Sequence, residues 1–402
     1  MTGMPAGEPR GARPRRVLIR RALLLLAVVG AVIAWLAPPY VRSAALLMDM
    51  TGTAPGLRAW LPVTVEAVET SDLTVTTRSG DMAVRVYRPA TNRGPAIVIF
   101  PGVHGGGLDE PRLVALSRRI AAAGATVVSA PLPDLRRYTL TPRATDMMED
   151  VVLWMSARPE IAAEGRVGVV GVSFAGGLAL VAAGRPRVAG RVTAVFALGA
   201  HADLPRVIRY LCLAGDAPRT LRPPHDYGAV LMLRASIATL VPPDQVSALD
   251  AAVVTFLDAS SAESTDRPES ERLFAQARSA ELALPEPARG LMHAVNERDV
   301  AALGRVLAPL AEAIGGDPAL SPARSPATPA PVFLLHGADD NVIPASESPL
   351  LAAYLSSHGN IRVNQLLTPL LTHADARHEA GATDLWRLIN FWTRMWRVFE
   401  RS

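Results

Sequence analysis

The longest uninterrupted apolar run lies near the start of the chain. Residues 22–37 read ALLLLAVVGAVIAWLA, and no charge follows until Arg42. From about residue 60 the rhythm shortens. Three β-rich runs appear: Val63–Val68, Leu73–Thr77 and Ala83–Tyr87. Largely apolar runs then follow at Ala96–Phe100 (AIVIF), Ala125–Ala130, Val167–Val172 and Val192–Leu198. Such runs predict strands buried on both faces. Between them, residues 110–123, 146–156 and 174–183 have helical spacing. This β-α-β-α alternation predicts an α/β fold with a doubly wound, mostly parallel sheet.

The alternation stops near residue 204 and resumes at Val332–Leu335. The intervening stretch shows little β signal and reads as helices over 204–213, 228–241, 245–257, 268–283 and 291–314. It predicts an α-helical cap inserted into the sheet domain. The return segment 317–331 (DPALSPARSPATPAP) carries five prolines and reads as a stiff, extended connection. A helix near 346–357, a strand near 361–367 and a closing helix near 383–399 complete the chain. The expected organisation is an Arg-rich tail (1–21), an anchor or signal segment (22–41), a first core part (60–203), the cap (204–325) and a second core part (326–402).

Composition sharpens this picture. Of the 402 residues, 50% are hydrophobic and 19% charged, which excludes a disordered chain. A single long apolar run excludes a multi-span membrane protein. The formal net charge is +4, all 41 basic residues are Arg, and six of them lie in the first 21 positions. Beyond residue 21 stand 35 Arg and 36 acids, a net of −1, so no nucleic-acid partner is expected. The lone Cys212 excludes an intramolecular disulfide framework.

The Arg cluster beside the apolar run predicts an N-terminal transmembrane helix. Sixteen helical residues span about 24 Å, and Val17–Ile19 with snorkelling Arg20 and Arg21 extend that reach. Trp35 and Tyr40 suit the far interface, and the arginines orient the tail to the cytoplasm. The remainder is expected on the extracytoplasmic side. A cleaved secretory signal and a buried helix are the alternatives, and Arg15–Arg20 (RRVLIR) resembles a twin-arginine export signal.

Four segments carry candidate chemistry. Gly171-Val172-Ser173-Phe174-Ala175-Gly176-Gly177 sits where a buried strand meets an apolar helix. A serine there needs small neighbours to make a sharp turn that exposes its hydroxyl. Pro101-Gly102-Val103-His104-Gly105-Gly106-Gly107 follows the AIVIF strand, and its glycines let backbone approach a ligand closely. His336-Gly337-Ala338-Asp339-Asp340-Asn341-Val342-Ile343-Pro344 follows the strand Val332–Leu335. His373 and His378 lie in the loop after strand 361–367.

Together these resemble the α/β-hydrolase fold superfamily of serine esterases and dienelactone-hydrolase-like proteins. The first segment resembles its nucleophile elbow, with Ala175 where the pattern has Gly. The third resembles its HGxxDxxVP segment, with Ile343 where the pattern has Val. The chain order Ser…Asp…His is also that of the superfamily. The resemblance covers about residues 60–203 and 326–400. It implies Ser173 as nucleophile, His373 as base in preference to His378, Asp340 as its orienting acid, and an oxyanion hole from the N–H groups of Val103 and Phe174. His104 and Gly105 neighbour Val103 as further donors.

The expected activity is hydrolysis of a small to medium hydrophobic acyl ester through an acyl-enzyme. The same residues also suit an acyltransferase, and a catalytically silent, membrane-anchored binding protein is a third reading. No cofactor and no metal are expected, and protein partners are not readable. His201, Asp203, Cys212, His225 and His293 are read as structural.

Overall fold

The computed structural model describes residues 37–49, 55–61, 65–91, 94–213, 222–263, 265–373 and 381–401. Residues 37–49 form a helix, α1, and Pro55–Trp60 a short second one, α2. Strands β1 (Val68–Thr77) and β2 (Gly80–Pro89) form an antiparallel hairpin paired along its whole length. The sheet continues with β3 (Ala96–Phe100), helix α3 (Pro111–Ala122), β4 (Thr126–Ser129), the single turn α4 (Pro133–Arg136) and α5 (Pro142–Ser156). Then come β5 (Val167–Val172), α6 (Phe174–Ala183) and β6 (Val192–Leu198).

The cap comprises α7 (Leu204–Leu211), α8 (Asp226–Leu240), α9 (Pro243–Ala262), α10 (Arg267–Ala283), α11 (Ala288–Asn296), α12 (Val300–Leu307) and α13 (Ala311–Gly315). The core resumes with β7 (Val332–Gly337), α14 (Glu347–Ser357), β8 (Val363–Thr368) and α15 (Ala382–Phe399).

These strands make one eight-stranded sheet in the order β1-β2-β4-β3-β5-β6-β7-β8. The β1/β2 and β2/β4 pairs are antiparallel, and the rest are parallel. The doubly wound, mostly parallel sheet with inserted helices follows the expectation from the sequence. Strand β3 shows why its run is apolar throughout. Ile97 and Ile99 face one side with Ile120 of α3 and Phe391 of α15, while Val98 and Phe100 face the other with Met148 of α5 and Leu178 of α6. Helix starts are set by local chemistry. Glu110, Thr141 and Asp203 each accept an N–H of the first turn of α3, α5 and α7, and a proline stands in the first turn of each.

Three expectations change. The runs Val63–Val68 and Leu73–Thr77 are not two strands. Residues 65–67 are not strand, 62–64 lie outside the described residues, and β1 is one strand. It is an edge strand with most residues exposed, so burial imposes no alternation on its sequence. The stretch 291–314 is three helices and not one. Arg298 adopts φ 52°, Asp299 caps α12 anew, and Pro309 precludes a continuous helix through α13. The return segment is not fully extended, since Pro318–Leu320 and Pro322–Arg324 form 3₁₀ turns.

The expected transmembrane helix falls mostly outside the described residues, which begin at 37. Among the described residues no helix is long and apolar enough to cross a membrane. The last positions of the proposed span, 37–41, open α1, which packs on α15. Tyr40 stacks on Trp386 with ring centroids 5.5 Å apart, and the Thr393 hydroxyl donates to Ser43 Oγ at 2.9 Å. Tyr40 therefore has an aromatic partner within the fold.

Candidate active site

The ends of β3, β5, β7 and β8 lie at one edge of the sheet because these strands are parallel. Each delivers one of the candidate segments there. At the end of β5, Ser173 takes φ 59° and ψ −134°, a left-handed conformation that costs a non-glycine residue free energy. The surrounding backbone holds it. The Ser173 N–H donates to the Leu198 carbonyl at 2.7 Å, and the Ser173 carbonyl accepts from Gly176 N–H at 2.8 Å.

The neighbours must be small for a measurable reason. A β-carbon at Gly171 would lie 2.6 Å from the Ala175 carbonyl oxygen and 2.7 Å from Gly176 Cα. One at Gly176 would lie 2.9 Å from Ala200 Cβ. Ala175, the departure from the pattern, is fully buried within α6. The methyl is accommodated, and the severe crowding falls on Gly171, Gly176 and Gly177, where a β-carbon would lie 2.3 Å from the buried His201 ring.

Ser173 Oγ lies 2.8 Å from His373 Nε2, and His373 Nδ1 lies 2.7 Å from Asp340 Oδ2. A carboxylate only accepts, so Nδ1 carries the imidazole proton and Nε2 is left to accept from the serine hydroxyl. Asp340 is 3% exposed. Its Oδ1 accepts the N–H groups of Val342 and Ile343, both at 2.9 Å. Burial by itself would push this carboxyl upward. The electrostatic attraction of His373 and the hydrogen bonds of His336 and His373 outweigh it and hold Asp340 well below the usual carboxylate range. Asp339, its neighbour in the sequence, instead meets Arg222 of the cap side.

His336 lies closer to the site than the sequence indicated. Its Nε2 is 2.9 Å from the Ile343 carbonyl and 3.3 Å from Asp340 Oδ2. It therefore braces the turn that carries Asp340. The signal available was its place at the start of the same nine-residue segment. His378 lies outside the described residues.

The Pro101–Gly107 segment backs onto the elbow. A β-carbon at Gly102 would lie 3.1 Å from Ser173 Cβ. Phe174 is the first residue of α6, so its N–H belongs to the helix donors that have no partner within the helix. Within the loop, His104 Nδ1 accepts the Gly106 N–H at 2.9 Å, which removes Gly106 from the available donors. Burial holds the His104 ring below its usual pKa and so neutral. The Val103 carbonyl accepts from the Tyr227 hydroxyl of the cap at 2.9 Å. Tyr227 was not singled out from the sequence, where nothing distinguishes one phenol in a helical stretch.

The other lone polar residues have structural partners. His201 is fully buried against α6, with Nε2 2.7 Å from the Leu320 carbonyl. Asp203 caps α7 and pairs with Arg324 at 2.6 Å. His225 Nδ1 accepts the Tyr227 N–H at 3.2 Å, and His293 meets Glu281 at 2.9 Å. The half-buried Cys212 thiol is pushed up to about 11 by burial, which leaves it protonated. Among the described residues no group of His, Cys, Asp and Glu has metal-binding geometry.

No family model and no curated protein matches the chain. Solved structures do resemble it in outline. An esterase from the archaeon Pyrobaculum calidifontis is 17% identical, with 92% of this chain and 93% of that one covered and a TM-score of 0.45. EstE1, a thermostable carboxylesterase from a metagenomic library, is 16% identical over 84% and 91%, with a TM-score of 0.44. Brefeldin A esterase, a bacterial homologue of human hormone-sensitive lipase, is 18% identical over 90% and 83%, with a TM-score of 0.42. The chemistry of this chain rests on its own site geometry.

Proposed function

We propose that this protein is a serine hydrolase of the α/β-hydrolase kind that cleaves carboxylic esters. The observation that carries the reading is the continuous contact from Ser173 Oγ through His373 to a buried, ionised Asp340. In this reading His373 Nε2 takes the Ser173 proton as Oγ attacks the acyl carbonyl. The carbonyl electrons move onto oxygen, and the N–H groups of Phe174 and Val103 receive the oxyanion. Asp340 fixes the His373 tautomer and stabilises the imidazolium. His373 then protonates the departing alcohol, leaving an acyl-serine. Water attacks that ester with the same base, and carboxylate leaves as Ser173 regains its proton.

The substrate proposed is a small to medium hydrophobic acyl ester. The support is the cap, whose α8 is apolar over Ala229–Leu233 and lies beside the oxyanion loop through Tyr227. We also place the catalytic domain outside the cytoplasmic membrane, on the strength of the Arg-only leader and the apolar run after it.

Turnover of p-nitrophenyl esters by the full chain tests the activity. Ser173→Ala should abolish it, and a fluorophosphonate probe should label Ser173 in the wild type alone. Wild-type turnover by Ser173→Ala, with no labelling of Ser173, overturns the reading. A series of acyl lengths tests the substrate class, and strict preference for acetate counts against an apolar pocket.

A further inference from the structure

The cap touches the oxyanion loop through polar groups as well as apolar ones. Tyr227, in the first turn of α8, donates its hydroxyl to the Val103 carbonyl at 2.9 Å. Tyr138 lies across the same loop, and a β-carbon at Gly105 would sit 2.8 Å from its hydroxyl oxygen and 3.3 Å from Asp258 Oδ1. That hydroxyl donates to Asp258 at 2.7 Å and lies 3.0 Å from Ser261 Oγ. Asp258 and Ser261 both belong to α9 of the cap. Tyr138 is buried and takes φ 57°, strain that such a residue keeps only when its surroundings hold it there. Burial raises the pKa of both phenols, so both remain donors at neutral pH.

We propose that the cap positions the oxyanion loop for catalysis, with Tyr227 fixing the Val103–His104 peptide and Tyr138, braced by Asp258 and Ser261, supporting the turn at Gly105. This rests on the ester-hydrolase reading above. The physical step is peptide planarity. In a trans peptide the C=O and N–H point opposite ways, so holding the Val103 carbonyl also sets the direction of the His104 N–H. It restricts the torsion that aims the Val103 N–H as well. An oxyanion hole works because its donors are oriented before charge develops. Loop glycines at 105, 106 and 107 give no such orientation by themselves. Tyr227 and Tyr138 are thus positioning residues. They act through the loop and need not touch the substrate.

The test is steady-state hydrolysis of p-nitrophenyl butyrate by the full chain, comparing wild type, Tyr227→Phe, Asp258→Asn and Ser173→Ala. Tyr227→Phe should lower kcat by roughly tenfold or more, because misaimed groups are costly in the transition state. KM should stay within about twofold, the pattern of a lost transition-state interaction. Affinity for an alkyl boronic acid, which mimics the tetrahedral state, should fall in proportion to kcat. Asp258→Asn should show the same kcat-selective loss in weaker form, and it carries the test alone if Tyr227→Phe does not fold.

Unchanged kcat in the folded variants, or a rise in KM alone, overturns the proposal. Loss of activity in Ser173→Ala beside wild-type kcat in Tyr227→Phe and Asp258→Asn removes only this proposal. Full turnover by Ser173→Ala removes the hydrolase reading and this proposal with it.

Discussion

At the scale of single residues, the site depends on conformations that only some side chains tolerate. Gly171 illustrates this, because the atoms a methyl would meet are backbone. Gly171→Ala must displace the start of α6, and with it Ser173. We expect a loss of esterase turnover of at least about 100-fold, since small misplacements of a nucleophile cost that much. Asp340→Asn should cost roughly 10⁴-fold in kcat, by analogy with the serine-protease triad, because an amide no longer dictates the His373 tautomer. Asp340 also makes a pH prediction. Its folded pKa lies below its unfolded value, so its stabilisation is present above about pH 4 and fades as pH falls towards the folded value. Denaturant unfolding at a series of acid pH values should show a shallower stability loss for Asp340→Asn than for wild type. Ser173, Asp340 and His373 were legible because each follows a strand and keeps motif spacing. Tyr227 and Tyr138 were not, because no local pattern marks a phenol that bonds to a loop more than 30 residues away.

At the scale of elements, most boundaries were legible from strand and helix periodicity, and the misses share a cause. The β1 edge strand lacks two-sided burial, so its sequence carries little periodic signal. The stretch 291–314 has continuous helical apolar spacing, yet a residue at positive φ and a new N-cap divide it. The place of the cap was legible, but the polar contacts that join it to the core were not. Glu347, the first residue of α14, is 1% exposed and accepts the N–H groups of Ala202 and Asp203 at 2.8 and 3.1 Å. It also takes a bidentate contact from Arg206 of α7. Glu347→Ala strands two buried donors, which cost about 1–3 kcal/mol each. A drop in the urea midpoint with an unchanged m-value is the expected result.

At the scale of the whole molecule, the N-terminal region joins the fold sooner than its hydropathy implied. Ala45, Leu46 and Leu47 of α1 are buried, and Leu46 and Leu47 belong to the same apolar cluster as Phe391 and Trp392. Removing residues 1–49 should therefore destabilise the domain, on the order of 1.5–3 kcal/mol for each leucine uncovered from its burial. Differential scanning calorimetry against a chain lacking only residues 1–36 separates this effect from that of the leader. With α1 docked, the apolar run left for an anchor is 22–36, which would span about 22 Å if helical. Carbonate extraction of membranes and protease protection in intact cells test the proposed placement. Recovery of the full chain in a soluble cytoplasmic fraction, shielded from external protease, overturns it.

The sequence by itself determined the alternation of buried strands and helices, the place where the sheet is interrupted, and the three motif residues at strand ends. Those features are local: burial on both faces, helical spacing and turn chemistry are written within a few residues. Tertiary structure alone decided that Ser173 and His373, 200 positions apart, meet at 2.8 Å. It also decided that α1 belongs to the domain, and that Tyr227 of the cap bonds the Val103 carbonyl in the loop beside Ser173. Those outcomes depend on which surfaces pack together. Hydropathy records that a face is apolar, but not what covers it.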